Sequence, residues 1–115
     1  MPFLNITSNA DISPEDIDSL LREGAAICCE VLGKPADYMQ TAFNTATDMN
    51  MGSRQGQFAF GEVRSIGLSG DSIQRLSEQL STLLAERLQV PKGNIYLVFQ
   101  DIPADKWAWD GKTFG

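Results

Sequence analysis

Apolar positions recur at helical spacing over two stretches of this chain and in extended patterns over four others. From Pro14 to Leu32, the residues Ile17, Leu20, Leu21, Gly24, Cys28, Val31 and Leu32 fall on one face of a helix. The start is marked by Ser13-Pro14-Glu15-Asp16: a Ser N-cap, Pro at the first helical position, and acids facing the positive helix end. Gly33 and Pro35 stop it. A second helical face is made by Ile73, Leu76, Leu80, Leu83, Leu84 and Leu88, with Pro91 beyond its end. Residues 2–7, 39–46, 58–65 and 94–100 read as strands, with turn material at Asn50-Met51-Gly52 and at residues 67–71.

These elements repeat. At a fixed offset of 56 residues (69 − 13 = 56), Ser13 aligns with Ser69, Ile17 with Ile73 and Leu20 with Leu76. The same offset pairs Glu30 with Glu86, Leu32 with Leu88, Pro35 with Pro91 and Phe43 with Phe99. One offset running through helix start, helix face, turn proline and strand marks two copies of a β-α-β unit, about residues 2–46 and 58–100, followed by a tail at 101–115. The expected fold is a single α+β (α/β) domain over residues 1–115. It has a four-stranded sheet, the strands of each unit parallel through a right-handed crossover, and both helices on one face. The other face then lacks cover. Phe58 and Phe60 flank Ala59, and Tyr96 and Val98 alternate with Ile95, Leu97 and Phe99, so apolar residues are expected on both sides of the sheet. Self-association with cyclic symmetry is the simplest way to bury that second face.

Composition narrows the chemistry. The net charge of −6 and nine scattered basic residues argue against nucleic-acid binding. No apolar run is long enough for a membrane span, and Met1-Pro2-Phe3-Leu4-Asn5 does not open like a signal peptide, so the expected compartment is the cytoplasm. With no histidine, the commonest general base and metal ligand are both missing. Cys28 and Cys29 are adjacent and helical, a spacing that suits neither zinc nor a Cys-x-x-Cys redox pair. They read as packing residues, and no metal or cofactor is expected.

Pro2 after the initiator Met, Gly33-Lys34-Pro35, Arg64-Ser65-Ile66-Gly67, the stretch from Leu83 to Leu88, Ile95-Tyr96 and the tail from Trp109 to Phe114 occur in an order and spacing that cover nearly the whole chain. In these motifs it resembles the tautomerase superfamily, specifically macrophage migration inhibitory factor and D-dopachrome tautomerase. The resemblance implies a homotrimer whose sheets form a central barrel with active sites at subunit interfaces. It also implies keto–enol tautomerisation of a small aromatic α-keto acid such as phenylpyruvate. Pro2 would be the catalytic base, with Lys34, Ile66, Tyr96, Val98, Trp107, Trp109 and Phe114 binding the substrate.

The residues can be weighed beside that resemblance. A tautomerase needs a base that is neutral at working pH, and an α-amino group titrates near 7.7–8. Burial and a neighbouring cation such as Lys34 lower an amine further. While Met1 is attached, however, the Pro2 nitrogen is a tertiary amide, and Pro at position two is common in proteins of all kinds. Lys34 can equally serve the negative end of the first helix, and aromatic residues in a tail can simply pack. In the resemblance, the Ile66 backbone N–H meets the substrate carboxylate, and Tyr96, Trp107, Trp109 and Phe114 wall the pocket, some from a neighbouring subunit. Three positions depart from the family. Phe58-Ala59-Phe60-Gly61 replaces a Cys-x-x-Cys, Val98 stands where animal members often have Asn, and Trp107 replaces a smaller apolar residue. A trimer that binds or signals to a partner, with a relic pocket, is the rival reading, although a receptor is not derivable from the residues. Non-classical secretion is likewise compatible with the resemblance. Dehalogenase or hydratase chemistry would need more pocket arginines and a water-activating carboxylate.

Overall fold

The computed structural model describes residues 1–115. The elements run β1 (Pro2–Ser8), α1 (Pro14–Leu32), β2 (Gln40–Thr45), β3 (Ala59–Ser65), α2 (Gly70–Leu88) and β4 (Ile95–Asp101), followed by a small hairpin of β5 (Ala108–Trp109) and β6 (Lys112–Thr113). Single 3₁₀ turns lie at Ala36–Tyr38, Lys92–Asn94 and Ala104–Lys106. The 56-residue offset carries α1 onto α2 residue for residue (70 − 14 = 88 − 32 = 56) and the first 3₁₀ turn onto the second. Each helix starts at the aligned serine. Ser13 Oγ accepts from Asp16 N–H at 3.2 Å, and Ser69 Oγ from Ser72 N–H at 3.1 Å. The second helix therefore begins inside residues 67–71, where a turn is expected from sequence, because Ser69 caps it. The left-handed caps differ: Gly33 ends α1, whereas Gln89 at φ 57° ends α2.

The four main strands form one sheet in the order β2-β1-β3-β4. The outer pairs β1–β2 and β3–β4 are parallel and the central pair β1–β3 is antiparallel, as the two fused units require. The strands differ from the expected bounds by one residue, at one end in β1 and β3 and at both ends in β2 and β4, within the ordinary fraying of such elements. Pro2, Leu4, Ile6 and Ser8 of β1 and Ala59, Gly61, Val63 and Ser65 of β3 are buried beneath the helices. Leu20, Cys28, Leu76, Leu80, Leu84 and Leu88 meet them from above. The buried Ser8 is satisfied: its hydroxyl donates to Phe58 C=O at 2.7 Å and accepts from Ala10 N–H at 3.0 Å.

The open face of the sheet is more polar than the sequence pattern implies. Alternation and register place Phe3, Phe60, Tyr96 and Val98 there, but also Asn5, Thr7, Glu62, Arg64 and Gln100. Asn44 Nδ2 donates to Asn5 Oδ1 at 2.7 Å across β2 and β1, and Arg64 pairs with Glu62 at 3.2 Å. Phe58 lies just before β3 and is buried instead of adding to this face. The exposed apolar patch is concentrated on β4, where Tyr96 is 60% and Val98 40% exposed. No helix is long and apolar enough to cross a membrane.

Candidate active site

Strand register sets Pro2, Ser65 and Asp101 side by side at one end of the sheet. Proline has no N–H to give to a ladder, so β1 can begin with it at no cost in pairing. Its ring is fully buried under the helices. The tail then folds over this end of the sheet. Ile102 N–H donates to Ser65 C=O at 2.9 Å, the turn at Ala104–Lys106 reverses the chain, and Phe114 N–H is shared between Ala104 C=O at 3.2 Å and Trp107 C=O at 3.0 Å. Asp110 and Gly111, at φ 52° and 82°, make the tight turn between β5 and β6. An Asp-Gly pair suits a two-residue hairpin loop because both positions need positive φ.

The result is a cavity of about 320 Å³ walled by Met1, Pro2, Asp37, Tyr38, Met39, Gln40, Trp107, Ala108 and Trp109. That is room for a small ligand. The Tyr38 and Trp109 rings meet edge to face, centroids 5.8 Å apart at 86°, and form one wall. A larger groove of about 410 Å³ between the outer ends of the helices is lined only by polar side chains and holds neither an apolar wall nor Pro2.

Electrostatics at this end favour a neutral amine. The Met1 amine is held below its ordinary value of 8.0, first by burial and then by the charge of Lys34, with Cys29 acting weakly the other way. Lys34 comes this close because Gly33 turns left-handed at the end of α1, and Lys34 N–H donates to Cys29 C=O at 3.0 Å. The ammonium stands near the amine without forming part of the cavity wall. Ile66 follows Ser65, directly beside Pro2. Its N–H makes none of the hydrogen bonds outside the ladder, whereas the next two amides, of Gly67 and Leu68, donate to Asp101 Oδ1 at 2.9 and 3.1 Å.

The residues singled out from sequence separate into two groups. Pro2, Trp107 and Trp109 share the cavity; Lys34 acts on the neighbouring amine and Ile66 follows the strand partner of Pro2, but neither lines the cavity. Phe114 is held nearby through its backbone but lines no part of the cavity. Tyr96 and Val98 do not approach Pro2 within the chain. Tyr96 lies five residues along β4 from the level of Pro2, about 17 Å at strand spacing, and both face the opposite side of the sheet. Sequence reasoning missed Asp37, Tyr38, Met39, Gln40 and Ala108. A signal existed: parallel pairing of residues 39–46 with the first strand necessarily brings the residues preceding it beside Pro2, as the observed pairing of Phe3 with Gln40 does.

The profile of the macrophage migration inhibitory factor family matches residues 1–115. A macrophage migration inhibitory factor homolog of Brugia malayi is 33% identical over 117 residues, covering 100% of both chains. Among solved structures, the macrophage migration inhibitory factor homologue of Prochlorococcus marinus superposes with a TM-score of 0.91 at 33% identity, covering 98% of this chain and 99% of that one. The macrophage migration inhibitory factor-like protein of Entamoeba histolytica gives a TM-score of 0.91 at 32% identity, covering 98% of each.

Proposed function

This chain belongs to the macrophage migration inhibitory factor family, and on that premise we propose that it is a keto–enol tautomerase of aromatic α-keto acids such as phenylpyruvate. In this reading the secondary amine of Pro2 is the general base once Met1 has been removed. The observation that carries it is the position of Pro2: fully buried at a cavity with aromatic walls, where burial and Lys34 already depress the amine one residue away.

The steps follow from charge. Neutral Pro2 nitrogen takes a proton from the carbon beside the substrate's carbonyl, and the electron pair left behind forms the enolate. Lys34 stabilises the enolate oxygen or the adjacent carboxylate, and the Ile66 N–H donates a hydrogen bond to the carboxylate. The Pro2 ammonium then gives the proton to the enolate oxygen, producing the enol and restoring the neutral base. Tyr38, Trp107 and Trp109 hold the aromatic ring. The working assembly is a homotrimer, in which Tyr96 and Val98 of one subunit complete the site of the next. No cofactor takes part.

The test is direct. Pro2→Gly keeps an amine but makes it primary and flexible, and should lower phenylpyruvate turnover, followed by ultraviolet absorbance of the enol, by about 10²–10⁴-fold. Protein that retains Met1, confirmed by mass spectrometry, should lose at least as much, because its Pro2 nitrogen is an amide. If Met1-retaining and processed protein turn over phenylpyruvate equally fast, Pro2 is not the base and the family's binding role becomes the better account.

A further inference from the structure

Ile66, Gly67 and Leu68 connect the end of β3 to Ser69, the cap of α2. The end of β4 ties this connection down. Ile102 N–H donates to Ser65 C=O at 2.9 Å, which carries the pairing of β3 and β4 one residue past β4. The chain turns at Gly67, φ 82°, and Asp101 Oδ1 accepts from both Gly67 N–H at 2.9 Å and Leu68 N–H at 3.1 Å. Successive amides that converge on one oxygen make an anion-binding turn, and here the anion is built into the chain. Asp101 is in no ion pair. Within the connection only the Ile66 N–H has no partner, and Ile66 follows Ser65, the strand partner of Pro2.

We propose, resting on the tautomerase reading of this site, that Asp101 is a positioning residue: its carboxylate fixes the turn so that the Ile66 N–H is the one amide left for the substrate carboxylate. Two effects follow from the geometry. The connection is held from both sides, by the hydrogen bond at Ser65 C=O and by the Asp101 side chain, so the Ile66 amide is in place before substrate arrives and little ordering remains to be done on binding. The Gly67 and Leu68 amides, already occupied by Asp101, cannot draw the substrate carboxylate past Ile66 into the turn. The negative charge of Asp101 opposes a substrate anion, so what the residue contributes is an acceptor and not a charge.

Asp101→Ala removes the acceptor, and because Asp101 is exposed the truncation opens no cavity. Asp101→Asn keeps a side-chain oxygen for both amides while removing the charge. In ¹⁵N-labelled protein without substrate, the Gly67 and Leu68 amides should exchange with solvent about tenfold faster in Asp101→Ala than in wild type, and near the wild-type rate in Asp101→Asn. In protein freed of Met1, Asp101→Ala should raise the KM of phenylpyruvate about two- to tenfold, the contribution of one hydrogen bond. The KM of the methyl ester should rise less. The rising limb of the pH profile should stay in place, since the charges acting on the amine are those of Lys34 and Cys29. Asp101→Asn should recover the KM of the acid. An Asp101→Ala protein with faster exchange but the wild-type KM for phenylpyruvate overturns the proposal, and so does an Asp101→Asn protein that keeps wild-type exchange yet matches Asp101→Ala in KM. Wild-type protein idle toward both acid and ester would remove the tautomerase reading and this role with it, whereas the other two outcomes leave wild-type turnover intact and strike Asp101 alone.

Discussion

Cys28 and Cys29 are adjacent in sequence but stand in different surroundings. Cys28 is fully buried, and burial pushes its thiol from the ordinary 9.0 up to about 12, whereas Cys29 is half-buried beside the amine and raised less. Below pH 9 both folded and unfolded Cys28 are neutral and the favourable burial is complete. Between 9 and about 12 the unfolded thiol ionises while the folded one does not, so stability drains away as pH rises. Urea midpoints should therefore fall less steeply above pH 9 in Cys28→Ala than in wild type, after a cost at neutral pH of about 1 kcal/mol. Parallel slopes would mean that the thiol is not the group responsible. Lys34 acts in the opposite sense on the amine. It lowers the amine pKa, second to burial, so Lys34→Ala should move the rising limb of the tautomerase pH profile to higher pH as well as weaken carboxylate substrates relative to their methyl esters. An unmoved limb would leave burial as the sole cause of the depression. Pro2 and Lys34 stand out as candidates in the sequence because their chemistry is tied to chain position and charge. Tyr38 is not, since nothing in its own neighbourhood gives it a task; strand pairing does.

Whole elements are legible where local chemistry and tertiary packing agree. The serine caps fix both helix starts, and the apolar stripes of α1 and α2 point at the same sheet. The β5–β6 hairpin, absent from the sequence reading, is two residues per strand, too short for any alternation to register; only Asp110-Gly111 announces it. Gly24 shows where propensity and packing part. A Cβ there would stand 2.6 Å from Leu4 Cδ2, a side chain with no exposed surface, so α1 sits as close to β1 as a glycine permits. Ala at an ordinary helix position gains up to about 1 kcal/mol over Gly. Here Gly24→Ala should instead destabilise, by about 1–3 kcal/mol as overpacked cores do, measured by chemical denaturation. Pairing it with Leu4→Val should recover part of the loss by returning the space. Leu4 is two residues from Pro2 on the same face of β1, so the single variant should also disturb turnover, and the repacked pair should restore it. A stabilised Gly24→Ala protein would show that the helix can lift without cost.

At the scale of the molecule, the open face and the two edges of the sheet are what the chain leaves unfinished. Strands β2 and β4 each present an unpaired edge, and Tyr96 and Val98 are exposed on the second. An apolar second face is too simple an expectation: alternation along β1 and β3 puts Asn5, Thr7, Glu62 and Arg64 there, where Asn5 meets Asn44 and Glu62 pairs with Arg64. What calls for assembly is the pair of open edges and the distance between Tyr96 and Pro2. A heterologous ring brings one end of a sheet to the other end of its neighbour and closes both edges at once. Light scattering should give three times the 12.6 kDa chain mass. A sharper test asks whose Tyr96 serves which Pro2. Pro2→Gly and Tyr96→Ala proteins should each turn over phenylpyruvate poorly. Refolded together from denaturant in equal amounts, they should form mixed rings in which about one site in four combines an intact Pro2 with an intact Tyr96 from the next subunit. Activity should then rise to about a quarter of the wild-type level, well above either variant alone. A mixture no more active than the mean of its parts, in rings shown by mass spectrometry to be mixed, would separate Tyr96 from the site and leave the cavity of a single chain to do the chemistry unaided.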